Sequence, residues 1–164
     1  MNIFVLDADP YQAAEYQCDK HIPKMVLESC QMLSTAHHVM RPDAKYLAEI
    51  YKPTHTNHPC SVWVRQGISN YNWLLKHTVG LMCEFTSRYS KIHKSEEIMR
   101  YLIEPPDLPA HSTAFAQAMP DKYKSADAVQ SYRNFYFHEK PFAQWQHTLT
   151  PQWYQDLAAK AVTN

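Results

Sequence analysis

The chain has 164 residues, about the size of one domain, and its 16 basic and 16 acidic side chains give a formal net charge of zero. This balance excludes a strongly basic nucleic-acid binder but leaves room for a local cationic patch. Two glycines are too few for a glycine-rich phosphate loop, while a hydrophobic content of 45% is enough for a core.

The four cysteines are scattered along the chain without a C-x-x-C pair. This distribution predicts reduced thiols and a cytoplasmic protein, or one of the host cytoplasm if the protein is viral. The apolar start, residues 1–6, is too short for a signal peptide, and no apolar run approaches the roughly 18 residues of a membrane span.

The first third of the chain is predicted to be helical after a short extended start. Residues 2–6 favour β structure but are few, so they form either a buried extended arm or a lone strand. A short helix is expected at about 11–17. A central, well-buried helix is expected at about 22–38, because apolar side chains cover most of its surface. A loop then extends to about residue 58.

The spacing of apolar residues predicts five further helical stretches. They lie at about 59–89 with a break at Gly67, and at about 95–103, 126–138, 141–146 and 151–162. A long functional or packing loop is expected at 110–124. Since no repeat or linker interrupts the chain, we predict an all-α fold, with one helical domain over 1–164 that packs as a compact bundle around the central helix.

The first candidate for chemistry is a polar stripe on the central helix. His21, Lys24 and Glu28 recur at steps of three or four and so share one face, while Asp19 lies just before the helix near its positive end. A carboxylate beside an ammonium and an imidazole can transfer protons or supply an amine nucleophile. The alternative is a solvated face stabilised by the Lys24–Glu28 pair.

A second polar cluster precedes the helix that begins at Pro59. His58 and the nearby Arg65 are candidates for holding a phosphate, because the free N–H groups at a helix start attract anions. The same loop could instead ligate zinc through His55 and His58, or serve only as a helix cap.

Other candidate substrate-binding residues lie on the long helix and near the C-terminus: Asn70, Tyr71, His77 and Trp153. The two aromatic rings could stack on a base, although aromatic residues at this spacing also suit a core. On the same helix, Gly80 permits the close approach of another backbone or a ligand, and Glu84–Arg88 is expected to be an ordinary surface pair.

Several motifs follow one another in a distinctive order. AEYQ at residues 14–17 is followed by DKH at 19–21, then by the histidine-containing loop before the long helix, and finally by PQWY at 151–154. This order, the chain length and the helical content resemble those of the phage-type pyrimidine-dimer DNA glycosylases, the small helical UV endonucleases. The resemblance implies a compact helical layer with the N-terminus threaded into its middle, DNA as the partner and no cofactor.

The resemblance also implies an unprotonated α-amine as nucleophile, a Schiff base with the sugar and a catalytic carboxylate, so that base excision is followed by strand cleavage. Glu28 is the best match for the carboxylate, and Glu15 is the alternative. The family exposes a small second residue after removal of the initiator methionine, whereas a bulky Asn2 normally leaves Met1 in place.

The nucleophile is therefore expected to be the Met1 amine, or else Lys20 or Lys24. The cluster of arginines near the active helix of the family is missing, and Lys20, His21 and Lys24 would replace it. Asn2 and Lys20 join the predicted substrate-binding residues.

The predicted function is accordingly that of a DNA glycosylase, with AP-lyase activity if an amine is the nucleophile. A metal-free hydrolase or transferase acting on a nucleotide or other small polar ligand is the first alternative. A metalloenzyme using His21, His58 and His77 is the second, and a non-enzymatic interaction module is the third. A monomer or small homo-oligomer without membrane association is expected.

Overall fold

In the computed structural model, which describes residues 1–162, α-helices are joined by turns and loops, and this part of the chain contains no β-strand. The α-helices of the described range are α1 (Pro10–Glu15), α2 (His21–Met40), α3 (Pro59–Gln66), α4 (Ile68–Tyr89), α5 (Met99–Leu102), α6 (Ala128–Glu139) and α7 (Gln152–Val162). Short 3-10 helices occur at Lys45–Glu49, Lys94–Ile98 and Asp121–Tyr123. The all-α prediction is confirmed; the single domain predicted over 1–164 stays a prediction, and its last two residues lie outside the described range.

Helix α2 lies at the centre of the fold. It packs against α3, α4 and α5, and Met25, Val26, Cys30 and Leu33 are all inaccessible to solvent. The apolar surface that predicted a central helix is therefore buried from several sides, which removes it from water and stabilises the arrangement. The helix begins one residue earlier and ends two residues later than predicted.

The N-terminal segment is a buried arm that forms no strand, so the alternative of a lone strand is wrong. The arm is not extended throughout, because its backbone bends at Phe4, where φ is +39°. Ile3, Val5 and Leu6 are fully buried. The side-chain oxygen of Asn2 accepts the backbone N–H groups of Ile3 and Phe4 at 2.7 and 3.1 Å. The ring of Phe4 lies against α2 and α6, so the arm threads between these helices and delivers residue 1 to the side of α2.

Both glycines lie where another segment comes close. A Cβ at Gly80 would lie 2.9 Å from the Cβ of Ala14, so the predicted close approach is that of α1 across α4. A Cβ at Gly67, between α3 and α4, would overlap the carbonyl oxygen of His111. The predicted break at Gly67 is confirmed, and the long loop passes directly over it.

The predicted helix at 141–146 is wrong, because this segment pairs with the turn between α1 and α2 instead of with itself. The Asp19 N–H donates to the carbonyl of Gln144 at 3.0 Å, and the Gln146 N–H donates to the Asp19 carboxylate at 2.6 Å. The helix predicted at 95–103 is split into a 3-10 turn and the short α5. No helix within residues 1–162 has the length and apolarity needed to cross a membrane.

Candidate active site

A cavity of about 280 Å³ lies beside the N-terminal half of α2. Its walls come from the arm, α2, α6 and the segment after α6: Met1, Asn2, Phe4, His21, Lys24, Glu28, Phe135, Lys140 and Phe142. A larger groove of about 660 Å³ runs beside α4 and α5, but its lining is mainly apolar, with Glu96 and Cys83 as its ionisable groups. Of these two cavities, only the smaller one is lined by a carboxylate, amines and an imidazole. It is therefore the candidate for catalysis.

The arm places the α-amine of residue 1 next to the carboxylate of Glu28. The Met1 nitrogen lies 3.6 Å from Glu28 Oε2, and the backbone N–H of Asn2 donates to the same oxygen at 3.2 Å. The Met1 side chain is only 2% exposed, and its sulfur accepts the hydroxyl of Ser61 at 3.3 Å. The amine is therefore held in place by packing on one side and by a carboxylate on the other.

Three lysines lie in or beside this cavity: Lys24 and Lys140 line it, and Lys20 lies over Phe142 in its wall. Lys24 Nζ lies 3.6 Å from Glu28 Oε1, although the Lys24 side chain is 63% exposed. The Lys20 ammonium lies 4.6 Å from the centre of the Phe142 ring, and that of Lys140 lies 4.6 Å from the centre of the Phe135 ring. Burial, with a contribution from Lys24, lowers the pKa of Lys140. A local cationic patch thus exists in a chain of zero net charge.

His21 lies in the cavity wall as a buried, uncharged imidazole. Its ring stacks on Phe4 with centroids 4.8 Å apart, and its Nδ1 has no hydrogen-bond partner. Burial lowers the pKa of His21 to about 3, helped by the positive charges of Lys140 and Lys24. At neutral pH the ring therefore adds no charge and acts as a neutral group.

Asp19 lies outside the cavity, although it is close to the stripe in sequence. Its Oδ1 is 3.0 Å from Arg88 Nη1, and its Oδ2 accepts the Gln146 N–H. Arg88 also donates to Glu84 at 2.8 Å, and its side chain is 1% exposed. The prediction of an ordinary Glu84–Arg88 surface pair is wrong, because the pair is part of a buried network that fixes the turn before α2.

Glu15, the alternative carboxylate, is exposed and accepts a hydrogen bond from the Gln12 side chain at 2.9 Å. It lines a different cleft, formed with residues 149–155. Of the two glutamates, only Glu28 therefore contacts the amine of residue 1.

His58 and Arg65 lie at the start of α3. His58 Nδ1 accepts the Cys60 N–H at 3.2 Å, so the side chain caps the helix. Burial, the nearby residue-1 amine and His55 lower the pKa of His58. His58 therefore lies close enough to the site to feel the charge of the amine, and the lowered pKa favours its neutral form. Arg65 Nη1 donates to the carbonyl of Thr56 at 2.7 Å and also holds the loop. Their role as phosphate ligands stays a prediction.

Asn70 and Tyr71 are core residues of α4. The Asn70 amide donates to the carbonyl of Trp63 at 2.8 Å and pairs with Thr113. The Tyr71 hydroxyl donates to the Leu102 carbonyl at 2.8 Å, and its side chain is fully buried. Neither lines the cavity, and their contacts account for their polarity.

His77 and Trp153 are also removed from the cavity. His77 Nδ1 lies 2.9 Å from the carbonyl oxygen of Pro10, which can only accept, so Nδ1 carries the proton and the Gln17 amide donates to Nε2 at 3.1 Å. Trp153 is 8% exposed and packs edge-on to Tyr16. His77 is thus not brought together with His21 and His58, and no group of three potential metal-ligating side chains is found within residues 1–162.

Four residues of the cavity wall were not among the predicted site residues: Phe4, Phe135, Lys140 and Phe142. Three of them lie on α6 or directly after it, more than 100 residues from Glu28 in sequence. The run Lys140-Pro-Phe142 combines a cation with an aromatic ring, but local sequence does not reveal that it faces α2.

A family model described as "Pyrimidine dimer DNA glycosylase" matches residues 1–97, which is more than half of the chain. The matched range includes the arm, α2 and the histidine-containing loop, whereas Lys140 and Phe142 lie beyond it. No curated protein and no solved structure matches the chain.

Proposed function

Since this chain belongs to the pyrimidine dimer DNA glycosylase family, it is an enzyme that acts on DNA, and we propose that it couples base excision to strand cleavage at the resulting abasic site. The observation that carries the proposal is the contact between the Met1 α-amine and the Glu28 carboxylate in the cavity. An amine beside a carboxylate is the equipment that covalent lyase chemistry on a sugar requires.

The chemistry begins with the neutral α-amine attacking C1′ of the damaged nucleoside. The glycosidic bond breaks and its electron pair leaves with the base, while Glu28 takes the proton that the nitrogen gives up. Glu28 returns this proton to the sugar oxygen as the ring opens, which converts the adduct to a protonated imine and restores the Glu28 carboxylate, while the expelled base takes a proton from solvent. Glu28 then removes a C2′ proton, and β-elimination expels the 3′ phosphate and cuts the strand.

The position of the amine supports its role over that of the lysines. The Met1 amine is fixed by the buried side chain of residue 1, whereas Lys24 extends into solvent and Lys20 lies over a ring. A nucleophile held close to its base loses less freedom on reaching the transition state. We therefore assign attack to the residue-1 amine, proton transfer to Glu28, and a neutral, positioning role to His21.

The lysines supply the electrostatic attraction that a neutral chain otherwise lacks. Lys24 and Lys140 line the cavity, which contains the single carboxylate of Glu28, and Lys20 lies over Phe142 in its wall. The phosphates flanking the damaged nucleotide therefore find a local excess of positive charge. The nucleotide-hydrolase, metalloenzyme and interaction-module alternatives have no comparable observation in their favour. The oligomeric state and the cytoplasmic location stay predictions.

The test is covalent trapping with sodium borohydride on duplexes that carry one pyrimidine dimer or one abasic site. We expect a reduced protein–DNA adduct and, after digestion, mass spectrometry that finds the modification on the peptide containing residue 1. The intact mass of the protein shows whether that residue is Met1 or Asn2. An adduct on Lys24, or excision without any adduct, would contradict the amine mechanism. Lys24→Met, which keeps the stem length without the amine, is the matched control and should still be trapped.

A further inference from the structure

Phe142 has an unusual position for a phenylalanine of this chain. It is 38% exposed, whereas the other five phenylalanines are buried or partly buried. Its ring lies in the wall of the same cavity as the amine and Glu28, with an edge-on contact to His21 at 5.4 Å between centroids. An exposed ring at the edge of a polar cavity leaves apolar surface in water unless a ligand covers it.

The other aromatic side chains of the cavity are less available. Phe4 is 6% exposed and is covered by His21 on one side and Tyr136 on another. Phe135 is partly buried and contacts Tyr123 and Lys140. Phe142 is therefore the aromatic side chain of the cavity that is most open to a planar ligand.

The segment that carries Phe142 is fixed to the start of α2. The Ala143 N–H donates to the Lys140 carbonyl at 2.9 Å, which closes a turn around Phe142. Asp19 holds the following residues through its N–H to Gln144 and its carboxylate to Gln146. Asp19 is in turn held by Arg88. The ring is therefore presented by an anchored turn, and little conformational freedom is lost when a ligand stacks on it.

The Lys20 side chain lies over the ring of Phe142. Its ammonium lies 4.6 Å from the Phe142 centroid, and its side chain is exposed. A DNA phosphate offers this cation a stronger, charge-assisted partner than the ring does. Movement of Lys20 to a phosphate would uncover Phe142 beside the nucleotide that the amine attacks.

We infer that Phe142 stacks on the damaged base during excision and so serves the base-removal step of the enzyme and not the cleavage of abasic sites. This inference rests on the proposed function, because it uses the same cavity and the same nucleophile. Bases stack on aromatic side chains whatever their sequence. The pyrimidine rings of a dimer are saturated at C5 and C6, but their conjugated N–C=O atoms stay nearly planar and can lie against an aromatic face. An abasic site has no base, so the ring contributes nothing to its cleavage.

The experiment compares single-turnover rates on two duplexes of identical sequence, one with a pyrimidine dimer and one with an abasic site. We expect Phe142→Ala to slow dimer excision by roughly 5- to 150-fold and to leave abasic-site cleavage unchanged. Phe142→Tyr, which keeps the ring, should restore excision. Leu149→Ala removes an apolar side chain that is 89% exposed in the same connecting segment, and it should change neither rate.

If Phe142→Ala distorts the site in general, the variant will be slow on both duplexes, and this result would overturn the inference. Equal rates for the variant and the wild type on the dimer would also overturn it. A wild-type enzyme that is inactive on both duplexes would contradict the proposed function itself. A wild type active on both, with Phe142→Ala impaired equally on both, would contradict only the role of Phe142.

Discussion

The carboxylate of Glu28 lies 3.6 Å from the α-amine of Met1, although 26 residues separate Glu28 from Asn2, whose N–H contacts the same oxygen. This contact forms because a buried arm runs back along the helix that carries the glutamate. It gives the enzyme a nucleophile and a base in one cavity, and it makes the role of Glu28 directly testable.

We expect Glu28→Gln to lower single-turnover excision of a pyrimidine dimer by roughly 10²- to 10⁴-fold, the usual contribution of a positioned acid–base group. The amide keeps the shape of the side chain and can still accept the Asn2 N–H, but it cannot take a proton. Quenched-flow or manual gel assays measure the rate, and a thermal melt checks the fold. Glu15→Gln is the matched control; loss of activity in that variant with retention in Glu28→Gln would reverse the assignment.

The cationic patch predicts a defined salt dependence of DNA binding. If each lysine neutralises one phosphate, Lys20→Met, Lys24→Met and Lys140→Met should each reduce the slope of log K against log salt concentration by about 1. Fluorescence anisotropy with an abasic-site analogue between low and moderate salt measures the slope. Lys45→Met, in the 3-10 turn beyond the far end of α2, is expected to leave the slope unchanged, and an equal effect there would argue against a specific patch.

The buried Arg88 network predicts a large loss of stability. Arg88 donates to Glu84 and Asp19 and to the carbonyl oxygens of Glu15 and Gln17. Arg88→Met keeps much of the side-chain volume but leaves these acceptors unpaired, so the free energy of unfolding should fall by about 3–5 kcal/mol.

Urea denaturation measures this change, with Arg41→Met as the comparison. Arg41 pairs with Asp107, whose side chain is 81% exposed, so water replaces the lost contact and the effect should be much smaller. Similar losses in the two variants would contradict the view that burial makes the Arg88 network important.

Acidification should destabilise the protein through its buried histidines. Burial lowers the pKa of His77 from 6.5 to about 4, so below pH 6.5 the unfolded chain binds a proton that the folded chain does not. The stability that His77 contributes is therefore complete above pH 6.5 and is lost as the pH falls from 6.5 to about 4. At pH 5 the loss from this residue is about 2 kcal/mol.

Urea denaturation at pH 7.5 and pH 5 measures this effect. The loss of stability between the two values should be about 2 kcal/mol smaller in His77→Gln than in the wild type. The prediction is wrong if His77→Gln loses as much stability on acidification as the wild type.

Local sequence was sufficient for the elements with strong periodicity or clear end signals. The apolar surface of α2, the break at Gly67 and the start of α3 at Pro59 were all predicted within a residue or two. The stripe of His21, Lys24 and Glu28 was also predictable, because helical spacing alone places these side chains on one face. The segment at 141–146 was mispredicted, since its backbone groups pair with Asp19, a partner that no local pattern reveals.

The sequence by itself determined most of the helices, the shared face of the stripe and the family to which the motifs point, because these depend on interactions within a few residues. Only the tertiary structure decided that Glu28 contacts the amine of residue 1, that Asp19 turns away to Arg88, and that Phe142 completes the cavity. Those outcomes depend on how the buried arm and α6 pack against α2, and such long-range packing is set by the burial of apolar surface over the whole chain.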